Sequence, residues 1–595
     1  MFCFSILIQV TDSANVERDF CKECKGRKRL LPFTMGSIGK DREVSREIEI
    51  LHLFLIEASI EFVSRLVSRN EMENMSLLEL KDALKGNMKI LWLSANAGVG
   101  GCMSGIDSSL FPGVLEHLRQ NSKVFEDKSW STTLSTSATG AAIFGAGLSW
   151  CVSEKFGRKK GIMAADCLFF VGSILVIWCK SPWLALACRV FVGLGIGMNS
   201  VSCSVYVSEF APANIRGSLV NLNGVMLSCG HFVAYIINQM ILKSAGLYWM
   251  LVAGCLPAAL QFIIMFKLPE SPHWQKNPEA ARRVASNFVN DDQPVDFEVD
   301  LEQSEDCVSS DEDNDSSKNI VQRAFQSLKS TSFRKAVFLC LVVQLSCVLG
   351  ADSVSYHGQF EENVEVPLLT CILDLIGSLL STISVDKYGR RRLITYSVVA
   401  LAIIFHGLSY SYASPSNKGM NEEPFLFPFD KGCPGYTTVN NCTMCLSLNC
   451  GFCAISGTQS GICMVNDNST LTECKEIGGQ WIIKYCPGTR TNWKKSLIAL
   501  YKLVHSTGLA TTPALVALEI FPLKELAFGG ALSVMIGWIF KLLGLPVVSV
   551  LSHYPGIPEI YMGYAILSWF VALLIFIFIP ETQGIPLEEM ETTVL

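Results

Sequence analysis

The chain has 595 residues, 50% of them hydrophobic and only 17% charged, with a formal net charge of −6 and a mean hydropathy of +0.35. A soluble domain carries roughly a quarter charged residues, so this balance points to a membrane protein. The acidic net charge speaks against a nucleic-acid binder, which needs a clustered basic surface.

In chain order, residues 1–85 come first and read as an extension, either cytoplasmic or foreign to the fold. Within it "LHLFLI" (51–56) is too short to span a bilayer. Glu57, Glu61 and Arg65 follow at helical spacing, which also suits a surface amphipathic helix. Cys21-Lys-Glu-Cys24 is a lone CxxC and carries no assigned role. Twelve windows of about twenty mostly apolar residues follow, each long enough to cross ~30 Å of hydrocarbon. They lie at roughly 89–111, 131–152, 161–180, 183–206, 218–241, 247–268, 334–357, 366–385, 393–413, 496–518, 526–552 and 559–580. Glycines punctuate the second and fourth windows ("TGAAIFGAGLSW", "VGLGIGMNSVSCS"), and close helix packing is their expected role.

Loop charge sets the orientation. The phrases "VSEKFGRKKG" (from Val152) and "SVDKYGRRRL" (from Ser384) follow the second and eighth spans, and "NIRGS" follows the fourth. With twelve alternating spans these loops share one side with both termini, and Lys and Arg favour the cytoplasm. The central loop 271–333 lies on that side too. It is acidic over 287–318 and reads as a disordered, solvated tether, with Ser309 and Ser310 preceding an acidic run that would suit phosphorylation.

The opposite side holds residues 414–493, with Cys433, Cys442, Cys445, Cys450, Cys453, Cys463, Cys474 and Cys486. An even, dense set in an oxidising compartment reads as a small disulfide-stapled domain rather than a zinc site. Asn441-Cys-Thr and Asn468-Ser-Thr are glycosylation acceptors on the same side. The other cysteines of the 23 are scattered packing residues.

The near-repetition of one phrase in corresponding loops implies two six-helix halves, a plan many secondary transporters share, with the solute site between the halves. The domain organisation is therefore a bundle over 86–270, the central loop 271–333, spans seven to nine over 334–413, the Cys-rich domain 414–493, spans ten to twelve over 494–582 and a cytoplasmic tail 583–595. An acidic residue in each phrase can pair with Arg and with helix ends, latching helices that must slide. The motifs "EKFGRKK" (154–160), "RVFVGLGIG" (189–197), "YVSEFAPANIRG" (206–217), "LPESPHW" (268–274), "DKYGRRR" (386–392), "EIFP" (519–522) and "PETQGIPLEE" (580–589) then appear in one order. In these the chain resembles the sugar-porter branch of the major facilitator superfamily. The insert "CPGYTTVNNCTMCLSLNCGFC" is similar to the plexin–semaphorin–integrin-type insert of proton-coupled myo-inositol symporters.

The resemblance implies an all-α polytopic membrane protein: twelve helices in two six-helix halves around a cavity, plus the disulfide-rich extracellular domain. It implies a latch on the cytoplasmic side built from Glu154, Gly157, Arg158, Glu209, Arg216, Glu270, Asp386, Gly389, Arg390, Glu519 and Glu581. Asp107 in "GCMSGIDSSLFPG" matches a first-helix acid that takes part in proton coupling, and Arg189 is its implied partner. A carboxylate at mid-membrane is costly and usually functional; the competing reading makes Asp107 a cap at a helix break beside Gly105. His231 stands where the family often has a solute-binding Gln.

The second half departs from the pattern. A Gln-Gln pair is Ser346-Cys347 here, with Gln344 out of register; Asn positions are Asp352 and Asp374; a Pro-Trp is Pro513-Ala514 and a later Asn is Ala517; Lys502 and Lys541 enter as well. Isolated charges at membrane depth should pair or face water, so an Asp352 or Asp374 pair with Lys541 or Lys502 is expected, unless Lys502 snorkels outward. Gln344, Asp352, Asp374 and Lys541 join His231 as candidate solute contacts. The implied activity is proton-coupled uptake of myo-inositol or a related polyol or sugar, driven by the proton gradient without cofactor or metal, and without enzymatic chemistry. A non-transporting sensor on the same scaffold and a porter of a charged solute are the alternatives. The expected partners are the polyol, protons, the bilayer and an extracellular partner of the Cys-rich domain. The expected location is multi-pass in the plasma membrane, with a vacuolar or other endomembrane as the alternative.

Overall fold

The computed structural model describes residues 89–121, 128–176, 181–212, 215–241, 247–275, 326–349, 365–413, 437–439, 445, 450–455, 461–465, 467–476, 479–482, 491–522, 525–551 and 557–585. The first apolar window begins as helix over 89–97, turns at Gly98 and continues as α1 (Val99–Asn121). Then follow α2 (Lys128–Phe156), α3 (Arg158–Leu175), α4 (Pro182–Phe210), α5 (Arg216–Ile241) and α6 (Leu247–Met265). The second half holds α7 (Thr331–Gln344), continued by a 3-10 turn over Leu345–Leu349, then α8 (Glu365–Tyr388) and α9 (Arg390–Ala413). The tenth window is two helices, α10 (Thr491–Gly508) and α11 (Thr512–Ile520), and α12 (Leu526–Leu551) and α13 (Ile557–Phe578) complete the chain. Helical structure is dictated by the solvent, since hydrocarbon offers no partner to an open backbone N–H or C=O. Among the described residues, eight segments are long and apolar enough to cross a bilayer: one each in α4, α5, α8, α9, α12 and α13, one running from α7 into its 3-10 turn, and one spanning α10 and α11.

Local chemistry marks the ends. Ser181 caps α4, its side chain accepting from the Leu184 amide at 3.3 Å, with Pro182 in the first helical position. In the tenth span, the helix stops after Gly508 and restarts with Pro513 in its first turn, where a proline needs no N–H partner. The glycines of α2 and α4 do what packing requires: a Cβ on Gly193 or Gly197 would run into Ala138 or Ala142 of α2.

The chain divides into two units, Leu408–Leu497 and the remainder. In the larger unit the two six-helix halves meet along two seams. On one, α5 lies against α8, where the Asn221 amide donates to the Ser381 hydroxyl at 2.9 Å. On the other, α2 lies against α12, with the Trp150 and Phe528 rings 4.7 Å apart. The smaller unit contains β1 (Thr437–Val439), β2 (Gly451–Ile455), β3 (Gly461–Met464) and β4 (Gly479–Ile482) in one antiparallel sheet of order β1-β3-β2-β4. Disulfides Cys445–Cys463 and Cys453–Cys474 tie strands β2 and β3 to their flanks. Cys450 is disulfide-bonded as well. Cys433, Cys442, Cys486 and Asn441 lie outside the described residues; Asn468 opens a short helix, Asn468–Glu476.

Candidate functional site

Inside the first bundle, Arg189 of α4 donates from Nη1 to Asp107 Oδ1 of α1 at 2.6 Å. Both side chains are largely removed from solvent, at 6% and 14% exposure. The guanidinium also lies over the Phe111 ring, 3.8 Å from its centroid, so the cation is held by a carboxylate and a π face. Asp107 sits within an unbroken α1, and the turn in the first span is at Gly98; the cap reading for Asp107 does not fit. A cavity lined by Asp107, Arg189, Phe111, Phe169, Ser173 and Gly254 adjoins the pair.

Across the α5–α8 seam, His231 Nδ1 is 2.8 Å from Asp374 Oδ2, and its Nε2 is 3.0 Å from the Ser108 hydroxyl of α1. The other Asp374 oxygen accepts from Ser506 and faces Lys502 Nζ at 3.3 Å, both on α10. Lys502 therefore turns inward to a carboxylate. Of the expected Asp–Lys combinations, the structure forms Asp374–Lys502.

Gln344 is buried and spent within the second half: its Nε2 donates to Ser533 Oγ of α12 at 2.7 Å, and its Oε1 accepts from Cys347 at 3.1 Å. Lys541, on α12, is exposed, with Nζ 4.6 Å from the Trp538 ring centroid. Asp352 lies outside the described residues.

The repeated phrase builds the same device twice. Gly157 (φ +102°) joins α2 to α3, and Gly389 (φ +90°) joins α8 to α9. A Cβ at either position would collide with Glu270 or Glu581, respectively, so both left-handed backbone and close approach require glycine. The Lys159 amide donates to Glu270 at 2.9 Å and the Arg390 amide to Glu581 at 2.8 Å. Arg158 pairs with Glu209 at the end of α4 at 3.0 Å; Arg390 pairs with Glu519 at the end of α11 at 3.0 Å. Ser271 donates to Glu209, and Thr582 to Glu519. Glu154 stands one helical turn before Arg158, as Asp386 does before Arg390, where the contact is direct at 2.9 Å. Asp386 and Arg216 also reach across the halves: Asp386 accepts from Ser218 of α5, and the Arg216 charge acts on Glu519.

Sequence reasoning missed the hydroxyl partners Ser271, Thr582, Ser218, Ser108 and Ser506. A signal existed for two of them, because "PES" (269–271) and "PET" (580–582) are one motif written twice. It also missed a buried polar group in the first bundle, where Asn199 donates to Asp166 and Gln261, and Gln261 to the Ala97 carbonyl.

A many-spanning helical membrane scaffold, a twice-built Gly-Arg-Glu ion-pair device and a buried Asp–Arg pair fit a secondary transporter of the major facilitator fold. The family model described as "Sugar (and other) transporter" matches residues 94–428 and 490–594, interrupted at the Cys-rich segment. "Inositol transporter 4" of Arabidopsis thaliana is 30% identical over 538 residues, covering 84% of this chain and 91% of that protein. The human "Proton myo-inositol cotransporter" is 29% identical over 537 residues, 83% of this chain and 80% of that one. Among solved structures, the proton:xylose symporter XylE bound to 6-bromo-6-deoxy-D-glucose aligns with a TM-score of 0.62 at 20% identity, over 85% of this chain and 99% of that one. The chain belongs to the sugar transporter family of the major facilitator superfamily, and is a multi-pass membrane protein.

Proposed function

We propose that this protein carries myo-inositol or a related polyol together with protons by alternating access, with Asp107 and Arg189 as the coupling pair. The observation that carries the reading is the buried 2.6 Å contact between Arg189 and Asp107. A carboxylate held this way in the membrane is a place where one proton changes a large interaction. Protonation neutralises Asp107, frees Arg189, and lets α1 and α4 shift relative to one another. The names of the relatives support the solute and the proton: two of them are an inositol transporter and a proton myo-inositol cotransporter.

A neutral solute is favoured over a charged one because the Asp374 charge is answered within the protein, by Lys502 and His231. His231, Gln344, Asp352, Asp374 and Lys541 are the residues assigned to the solute path, and the twice-built latch is assigned to the cytoplasmic side. The plasma membrane is the location assigned, with the Cys-rich domain facing outward, where it is free to bind a partner. The test is uptake of radiolabelled myo-inositol by proteoliposomes under an imposed pH gradient. Accumulation above the external concentration, abolished by collapsing the gradient, is expected. Labelled polyols and hexoses that all fail to enter overturn the reading.

A further inference from the structure

The His231–Asp374 contact joins α5 of the first half to α8 of the second, far from the repeated latch. Asp374 is 14 residues from the cytoplasmic end of α8 and His231 is 15 from that of α5. At 1.5 Å per residue both stand about 21–23 Å along their helices, so they meet at matching depth within the span. The contact is braced on both sides. On the first half, His231 Nε2 is held by Ser108, the neighbour of Asp107. On the second half, Asp374 is held by Lys502 and Ser506 of α10. A carboxylate beside a lysine acts as acceptor, which makes Nδ1–H the donor. The Ser108 hydroxyl, 3.0 Å from Nε2, also lies 3.0 Å from the Gly105 carbonyl, to which it donates.

We propose that His231 and Asp374 form a second latch between the two halves, at matching depth on α5 and α8, closed when no solute is bound and opened in every transport cycle. It rests on the alternating-access reading and adds positioning residues to it. Physical chemistry makes this contact a latch. Separating α5 from α8 here strips a hydrogen bond from a carboxylate buried to 3% exposure, which must be rehydrated or paired anew before the halves can part. A polyol hydroxyl can replace it, donating to Asp374 while accepting from His231, so solute lowers the cost of opening. The Ser108 brace also links the latch to α1, the helix carrying Asp107, so proton and solute act on one chain of contacts.

Cys371 reports the state of this seam. It lies three residues before Asp374 on α8, is partly exposed, and feels the charges of both Asp374 and Lys502. The experiment measures N-ethylmaleimide labelling of Cys371 by peptide mass spectrometry in the full chain held in lipid nanodiscs, with exposed Cys167 of α3 as internal control. His231→Leu is expected to raise the Cys371 rate about tenfold, the population change that follows loss of ~1.4 kcal/mol. His231→Gln, whose amide can still donate to Asp374, should return it toward the wild-type rate. Ser108→Ala, a small truncation that guards against misfolding of the leucine variant, should raise it less. Saturating myo-inositol should raise it in the wild type. Equal Cys371 rates in His231→Leu, Ser108→Ala and wild type, with Cys167 unchanged, overturn the latch. Faster variants in a protein that ignores myo-inositol support the latch and count against the polyol reading alone.

Discussion

Asp386 of α8 accepts from both the backbone amide and the hydroxyl of Ser218, at 2.6 and 2.5 Å, while holding Arg390 at 2.9 Å. Ser218 is in the first turn of α5, where amides lack intrahelical partners and the helix end is partly positive. A carboxylate of one half thus caps a helix of the other. Asp386→Asn should lower the maximal uptake rate about tenfold with little change in KM if, as proposed, these contacts between the halves act as a latch and not as solute contacts. Ser218→Ala, which keeps the amide, should cost much less. Measuring both in proteoliposomes with matched protein content checks this; equal Vmax in Asp386→Asn and wild type rejects it.

Asp107→Asn is nearly isosteric, yet it cannot exchange a proton. Uphill uptake driven by a pH gradient should disappear, while exchange of solute across equal concentrations persists. Undiminished accumulation in this variant would remove Asp107 from the coupling step.

The two copies of the Gly-Arg-Glu device should respond alike. Gly157→Ala and Gly389→Ala each force a Cβ onto a left-handed residue and against Glu270 or Glu581. Each should lower stability by about 1–2 kcal/mol from backbone strain alone, and more if the Glu contact is lost. Thermal unfolding of the detergent-solubilised protein reads this out, with Gly140→Ala, in the interior of α2 with nothing within 4 Å, as the control that should be unchanged or stabilised.

Lys502 and Asp374 can be separated from their pairing energy by a double-mutant cycle. Lys502→Gln alone leaves a buried carboxylate short of its cation and should cost ~3–5 kcal/mol. Asp374→Asn/Lys502→Gln removes both charges and should be much milder. If the single and double variants unfold at the same temperature, the pair makes no net contribution to stability.

Cys445–Cys463 and Cys453–Cys474 are two disulfides of the Cys-rich segment, whose pairing the sequence left open. Non-reducing mass spectrometry of residues 414–493 from cells should find four bridges and no free thiol. Removal of Cys453, buried against Met464 and Trp481, should cost about 2–5 kcal/mol of that unit's stability. A fully reduced segment would contradict both its fold and its assignment to the outer face.

Eight of the spans among the described residues, the duplicated phrase and the family were legible in the chain, because each is written locally. A helix that faces lipid needs about twenty apolar residues in a row, and a left-handed Gly followed by Arg needs only its immediate neighbours. Asp107–Arg189 was legible only through resemblance, since nothing near residue 107 names a partner 82 positions away. The charges of the second half showed that some pairing must exist, because hydrocarbon penalises an isolated ion. Which pair forms was decided by packing. Asp374 meets Lys502 because α8 and α10 bring them within 3.3 Å, and it meets His231 because α5 lies against α8. Lys541 is equally charged and equally out of place in the family pattern, yet it rests on Trp538. The hydroxyls of Ser108, Ser218, Ser271, Ser506 and Thr582 carry no composition signal at all; a serine in a helix is common, and only the fold determines which one faces a carboxylate across the bundle.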